Sequence, residues 1–147
     1  MLKSIAIKPV VTASTRMTVA EAARAMRSKN VGALVVVNAG RPVGMLTDRD
    51  IVMNVVAQGK DPDVARVGEV MRRRPAVLQG DAGLLEAAQA FARTGVRRLP
   101  VVDRRGELTG IIAIDDLMIL LGNEMGHVAA ALAAGLRRPG ARSAGAA

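Results

Sequence analysis

Cysteine, tryptophan and tyrosine are absent from the sequence, and phenylalanine and histidine occur once each, as Phe91 and His127. Without cysteine there is no disulfide, no thiolate metal ligand and no thiolate nucleophile. That composition fits a reducing compartment, and a cytoplasmic location is the expectation. His127 has no cysteine or second histidine to share a metal with, so no metal site is assigned and it reads as a surface or interface residue. The lack of aromatics removes the stacking platforms that hold single-stranded nucleic acid. No Walker loop, GxGxxG or nucleophile elbow occurs, so no catalytic residue is assigned and an enzyme is not expected. The N-terminus lacks a continuous apolar run before a small-residue cleavage site, so no signal peptide is expected. The longest apolar runs, such as Val128 to Leu136, fall short of a membrane span, and no membrane partner is expected.

What is present is aliphatic and basic. Half of the 147 residues are apolar, enough for one compact domain or two small halves with a shared core. The formal charge is +8, and 17 of the 21 cationic side chains are arginines. Arg137, Arg138 and Arg142 lie in the last eleven residues, which carry no acid. Residues 137–147 read as a disordered basic tail. A positive balance favours anionic partners.

The sequence is written twice. Val19 to Met26 (VAEAARAM) aligns with Leu84 to Phe91 (LLEAAQAF) at an offset of 65 residues, and Asn30 to Val37 then falls on Gly95 to Val102. One inserted residue makes the offset 66, and Gly44 to Asp50 falls on Gly110 to Asp116. Thr18 with Glu21 fits a capping box, opening an amphipathic helix to Lys29 whose apolar stripe is Val19, Ala22, Ala23 and Met26. Gly83 to Thr94 is its counterpart. Leu34 to Val37 reads as a buried strand, Asn38 to Arg41 as a turn and Pro42 to Leu46 as a second strand. Leu108 to Ile112 is the equivalent strand of the second copy. Short leading strands are expected at Val10 to Thr12 and Ala76 to Leu78. Helices follow from Asp48 to Ala57 and from Asp115 toward Leu136, the latter with expected weak points at Gly122, Gly126 and Gly135. A short helical piece, Val64 to Met71, links the copies.

Each copy is thus β-α-β-β-α, and each carries Gly-apolar-apolar-Thr/Ser-x-x-Asp, or a close variant, at the entry to its last helix. The matching residues are Gly44, Met45, Leu46, Thr47 and Asp50, then Gly110, Ile111, Ile112 and Asp116, with Ala113 in place of the hydroxyl residue. Together with Val31 to Val37 and Val96 to Asp103, this pattern resembles a tandem pair of CBS (cystathionine-β-synthase-like) domains. The resemblance covers about residues 5 to 125 and implies an α/β fold of two units packed with pseudo-twofold symmetry. The expected division is 1–60, 61–125, a helical extension 126–136 and the tail. The resemblance further implies a stand-alone, non-catalytic regulatory protein. It would bind an adenosine nucleotide (AMP, ADP, ATP or S-adenosylmethionine) between its units and form a homodimer through the last helix of each unit. No cofactor is required, although bound ATP would bring Mg²⁺.

The residues themselves give partial reasons. Thr47 stands where a strand ends and a helix begins, a place where free N–H groups favour phosphate. Asp50 is acceptor-only and suits the hydroxyls of a ribose. Equally, Thr47 or Asp48 is an N-cap and Asp50 a first-turn acid. By the resemblance, the main cleft combines Leu46, Thr47 and Asp50 with Val96 against the base, Arg97 or Arg98 on phosphate, and Val77 and Leu78 lining the base pocket. Arg72 to Arg74 read first as a solvated charge run, with phosphate contact as the alternative. The second cleft combines Thr12, Val31, Ile112 and Asp116. Because Ala113 lacks a hydroxyl and Gly32-Ala33 stand opposite Arg97-Arg98, this cleft is expected to be the weaker. The competing readings are a structural dimerisation module with vestigial clefts and a basic-surface nucleic-acid binder.

Overall fold

The computed structural model describes Ala6 and residues 9–137. Helix α1 (Val19–Lys29) starts at the Thr18 cap, where the Thr18 hydroxyl accepts from Glu21 N–H and the Glu21 carboxylate accepts from Thr18 N–H. It ends at Asn30, which takes the left-handed conformation open to asparagine. Strand β1 (Thr12–Ala13) lies parallel to β2 (Ala33–Asn38), which pairs antiparallel with β3 (Arg41–Thr47). The β2–β3 turn is tight, with Ala39 and Gly40 both at positive φ. Then α2 (Asp48–Ile51) runs on as a π-helical segment, Val52–Val56.

The second copy repeats this with β5 (Leu78–Gln79), α4 (Leu84–Thr94), β6 (Arg98–Val102), β7 (Leu108–Ala113) and α5 (Ile114–Leu136). Its three-stranded sheet has the order β5-β6-β7. Phe91 is buried in its core among Leu78, Leu99, Val101 and Ile112.

Between the copies, α3 (Val67–Val70) and β4 (Arg72–Arg73) depart from the expected division. Both belong structurally to the first unit. Ala65, Val67, Val70 and Met71 complete its core with Val19, Leu34, Val36 and Leu46. Strand β4 extends its sheet to the order β1-β2-β3-β4. Conversely, Ala6 packs on the core of the second unit. The segment ahead of the second copy thus packs on the first unit, and Ala6, ahead of the first copy, packs on the second. The boundary at residues 60 and 61 is a boundary of sequence and not of packing.

The units meet along a third apolar cluster: Ala33, Val35 and Met45 pack with Val10, Val37, Leu108 and Ile111. Leu108 N–H donates to the Gly40 carbonyl across this seam at 2.9 Å.

Helix α5 runs without interruption for 23 residues, through all three glycines where weak points were expected. Each such glycine costs a helix only about 1 kcal/mol relative to alanine, less than breaking it would. The extension 126–136 is thus one helix with residues 114–125. The whole helix is long and apolar enough by length and composition to cross a membrane, which the short apolar runs of the sequence did not suggest. Of the tail, only Arg137 falls within the described residues.

Candidate functional site

Two cavities lie at pseudo-equivalent places between the units. The first, about 320 Å³, is lined by Pro9, Val10, Val11, Val31, Ala33 and Ile111, with Asp115, Asp116 and Arg98 on its polar side. The second, about 340 Å³, is lined by Arg74, Pro75, Ala76, Val96, Arg98 and Met45, with Arg72 and Arg73 on its polar side. The repeat offset maps one onto the other: Pro9 to Val11 onto Arg74 to Ala76, Val31 onto Val96, and Ile111 onto Met45. The Ala33 position becomes Arg98, and Arg98 reaches the wall of both cavities.

The two acids at the helix starts are held differently. Thr47 is the N-cap of α2: its hydroxyl accepts from Asp50 N–H at 3.1 Å, and Asp50 Oδ2 accepts from Thr47 N–H at 3.0 Å. Arg72 Nε donates to Asp50 Oδ1 at 3.1 Å. The Asp50 side chain is 5% exposed and that of Arg72 is 62% exposed. Both Asp50 oxygens are therefore engaged by the protein. At the other end, Ala113 has no hydroxyl, so only half of the cap forms, with Asp116 Oδ2 accepting from Ala113 N–H at 3.0 Å. Asp116 Oδ1 has no side-chain partner among the described residues, and Asp116 lines the first cavity.

The structure brings together Val96 and Arg98 on the cavity next to Thr47 and Asp50, and Val31 and Asp116 on the other. Other expected site residues lie elsewhere. Leu46, Leu78 and Ile112 are buried with their side chains in the unit cores, because alternate strand positions face inward. Val77 and Thr12 lie outside both linings. Arg97 pairs with Asp115 at 3.2 Å at the edge of the first cavity. Of the arginine run, Arg72 forms the ion pair to Asp50, a role the sequence did not reveal. Asp48 is turned to Arg49 N–H at 2.8 Å. With Asp50 engaged as well, Asp48-Arg49-Asp50 presents no open pair of carboxylates to Mg²⁺. Among the described residues no group of three or more acidic, histidine or cysteine side chains is placed to hold a metal.

Gly44 explains how Arg72 reaches Asp50. A Cβ at Gly44 would meet the Met71 sulfur, and would stand 3.1 Å from the Arg72 carbonyl. A side chain there would require Met71 to move and the β4 backbone to give way by a few tenths of an ångström, so glycine favours the close approach of β4 to β3.

A family model for the CBS domain matches the chain twice, at residues 2–57 and 67–123. The chain is 41% identical over 121 residues to the CBS domain-containing protein YhcV of Bacillus subtilis, covering 82% of this chain and 83% of YhcV. It spans 59% of an uncharacterized Methanopyrus kandleri protein to which it is 36% identical. Among solved structures it is similar to a CBS domain protein of Pyrobaculum aerophilum complexed with AMP (TM-score 0.73, 26% identity), covering 83% of this chain and 98% of that one. It is also similar to Hypoxic Response Protein I with two coordinated zinc ions (TM-score 0.72, 32% identity), covering 80% and 95%.

Proposed function

We propose, from the premise that the chain belongs to the CBS-domain family as a tandem pair, that it is a non-catalytic regulatory protein binding adenosine nucleotides in the two clefts between its units. The observation that carries this reading is the pair of equivalent cavities, each with apolar lining and charged residues at its rim; Asp116 lines the first, and Asp50 adjoins the second through its ion pair with Arg72. The AMP held by the Pyrobaculum aerophilum protein supports it.

In the cleft beside Asp116, Val10, Val31 and Ile111 offer apolar surface to a base. The free Oδ1 of Asp116 can accept from ribose hydroxyls, and Arg98 can face phosphate. The missing hydroxyl at Ala113 makes this the weaker cleft by sequence, yet it has the open carboxylate. The cleft beside Asp50 holds more arginine and an engaged carboxylate. A ligand touching both units would favour one relative arrangement of them and so shift an equilibrium that a partner can read.

Exposed apolar residues on the last helix of each unit, Val52, Met53 and Val56 with Met118, Ile119, Met125 and Val128, support the further reading of a homodimer formed through these helices.

Isothermal titration with AMP, ATP and S-adenosylmethionine tests the proposal. Heat with at least one of them, reduced by Asp116→Ala, is the expected result. No heat and no shift in melting temperature at millimolar ligand would sink it.

A further inference from the structure

We propose that Arg72 makes the cleft beside Asp50 selective for phosphate-rich ligands, whereas the cleft beside Asp116 carries no such filter. The inference rests on the reading that these clefts hold nucleotides and concerns what sets one apart from the other.

A carboxylate that is to bind a ribose must have an accessible oxygen. Asp50 offers almost none, since one oxygen takes Thr47 N–H, Arg72 Nε covers the other, and the side chain is 5% exposed. Withdrawing Arg72 alone would leave a buried charge uncovered, which is costly. It becomes favourable when two replacements arrive together. Ribose hydroxyls donate to Asp50, and a phosphate accepts from the displaced guanidinium.

Arg72 is built for that exchange. Only its Nε is committed, and its other guanidinium donors have no partner among the described residues. Its side chain is mostly exposed, stands on a two-residue edge strand and lines the 340 Å³ cavity. Planar guanidinium groups bind phosphate through paired donors. Arg73, Arg74 and Arg98 line the same cavity, so each added phosphate finds another cation. A nucleoside without phosphate offers Asp50 its hydroxyls but leaves Arg72 with nothing in return.

The other cleft lacks this arrangement. Among the described residues Asp116 makes its single cap bond and no ion pair. One repeat before Arg72 in the sequence stands Ile7, which carries no charge.

The test is a ladder of adenosine, AMP, ADP and ATP, titrated into the full chain in an Asp116→Ala background, with and without Arg72→Met. Affinity is expected to climb steeply with phosphate number when Arg72 is present. Arg72→Met should flatten the ladder from both ends: ATP weakens roughly tenfold, the factor one charge-assisted hydrogen bond supplies, while adenosine binds more tightly. An equal loss for all four ligands would make Arg72 a mere structural support and overturn the inference. So would a ladder that stays as steep without it. Should Arg72→Met alone unfold the protein, Arg72→Met/Asp50→Asn removes the uncovered charge and must also flatten the ladder. Absence of binding by all four to the unmodified chain overturns the nucleotide reading itself. A steep ladder surviving Arg72→Met overturns only this inference.

Discussion

Arg97 Nη2 lies 3.2 Å from Asp115 Oδ1 at the edge of the cleft beside Asp116. The two side chains are 74% and 70% exposed, so water and salt screen the pair and it contributes little to folding. Its consequence is local, since it neutralises an acid on the wall of a cavity read as taking an anionic ligand. Arg97→Ala is therefore expected to change stability by less than about 0.5 kcal/mol and to weaken AMP binding about threefold at low ionic strength, less so near 1 M salt where the Debye length is about 3 Å. Titrations at the two salt concentrations check this. An undiminished loss at high salt would show that Arg97 contacts the ligand directly.

The β2–β3 turn stores strain. Ala39 has φ of 48° and Gly40 φ of 75°, the left-handed pair that a two-residue hairpin turn requires. Gly40 adopts it freely, but alanine does so at a cost. Ala39→Gly relieves that cost while loosening the unfolded chain, and a net gain of about 0.5 kcal/mol is expected in urea unfolding. Ala39→Val should destabilise, because a β-branched side chain fits this conformation worse than alanine. If valine proves neutral, the turn is not held in the left-handed region in solution.

Two carboxylates tie stability to acid. Thr18 backbone N–H, then the Thr18 hydroxyl, holds the Glu21 carboxyl below its ordinary value. The Glu107 backbone N–H does the same for Asp103, against a smaller opposing effect of burial. A group depressed on folding contributes stability that is fully present above its unfolded pKa and lost as pH falls through its folded one. Stability should thus be level with respect to these groups near neutrality and decline below the ordinary carboxylate range. In Glu21→Gln/Asp103→Asn that acid slope should be shallower. Denaturant midpoints measured from neutral pH into acid decide it, and an unchanged slope would refute the assignment.

What was legible in the sequence was local. The Thr18–Glu21 box spans three residues, the hairpins are bounded by their turns, and the repeat displays each element twice. The equivalence of the two clefts was also within reach, since the offset that pairs Val31 with Val96 pairs Pro9 to Val11 with Arg74 to Ala76. What could not be read was distant. Arg72 is 22 residues from Asp50, and β4 is only two residues long, too short to leave any periodicity. A run of three arginines looks alike whether it is solvated or paired. Only the family resemblance assigns Leu46, Leu78 and Ile112 to the clefts. Strand alternation turns them into the cores instead.

The crossed leading segments set an order on how the polypeptide can mature. As the chain emerges from the ribosome, its first half reaches Val56 with the open edge of β3 unpaired and no Val67, Val70 or Met71 to seal it. That half closes only once the opening residues of the second have been made. Reciprocally, Ala6 waits for a core that is synthesised last. The two halves are thus interlocked during synthesis, and neither is finished before the other has begun.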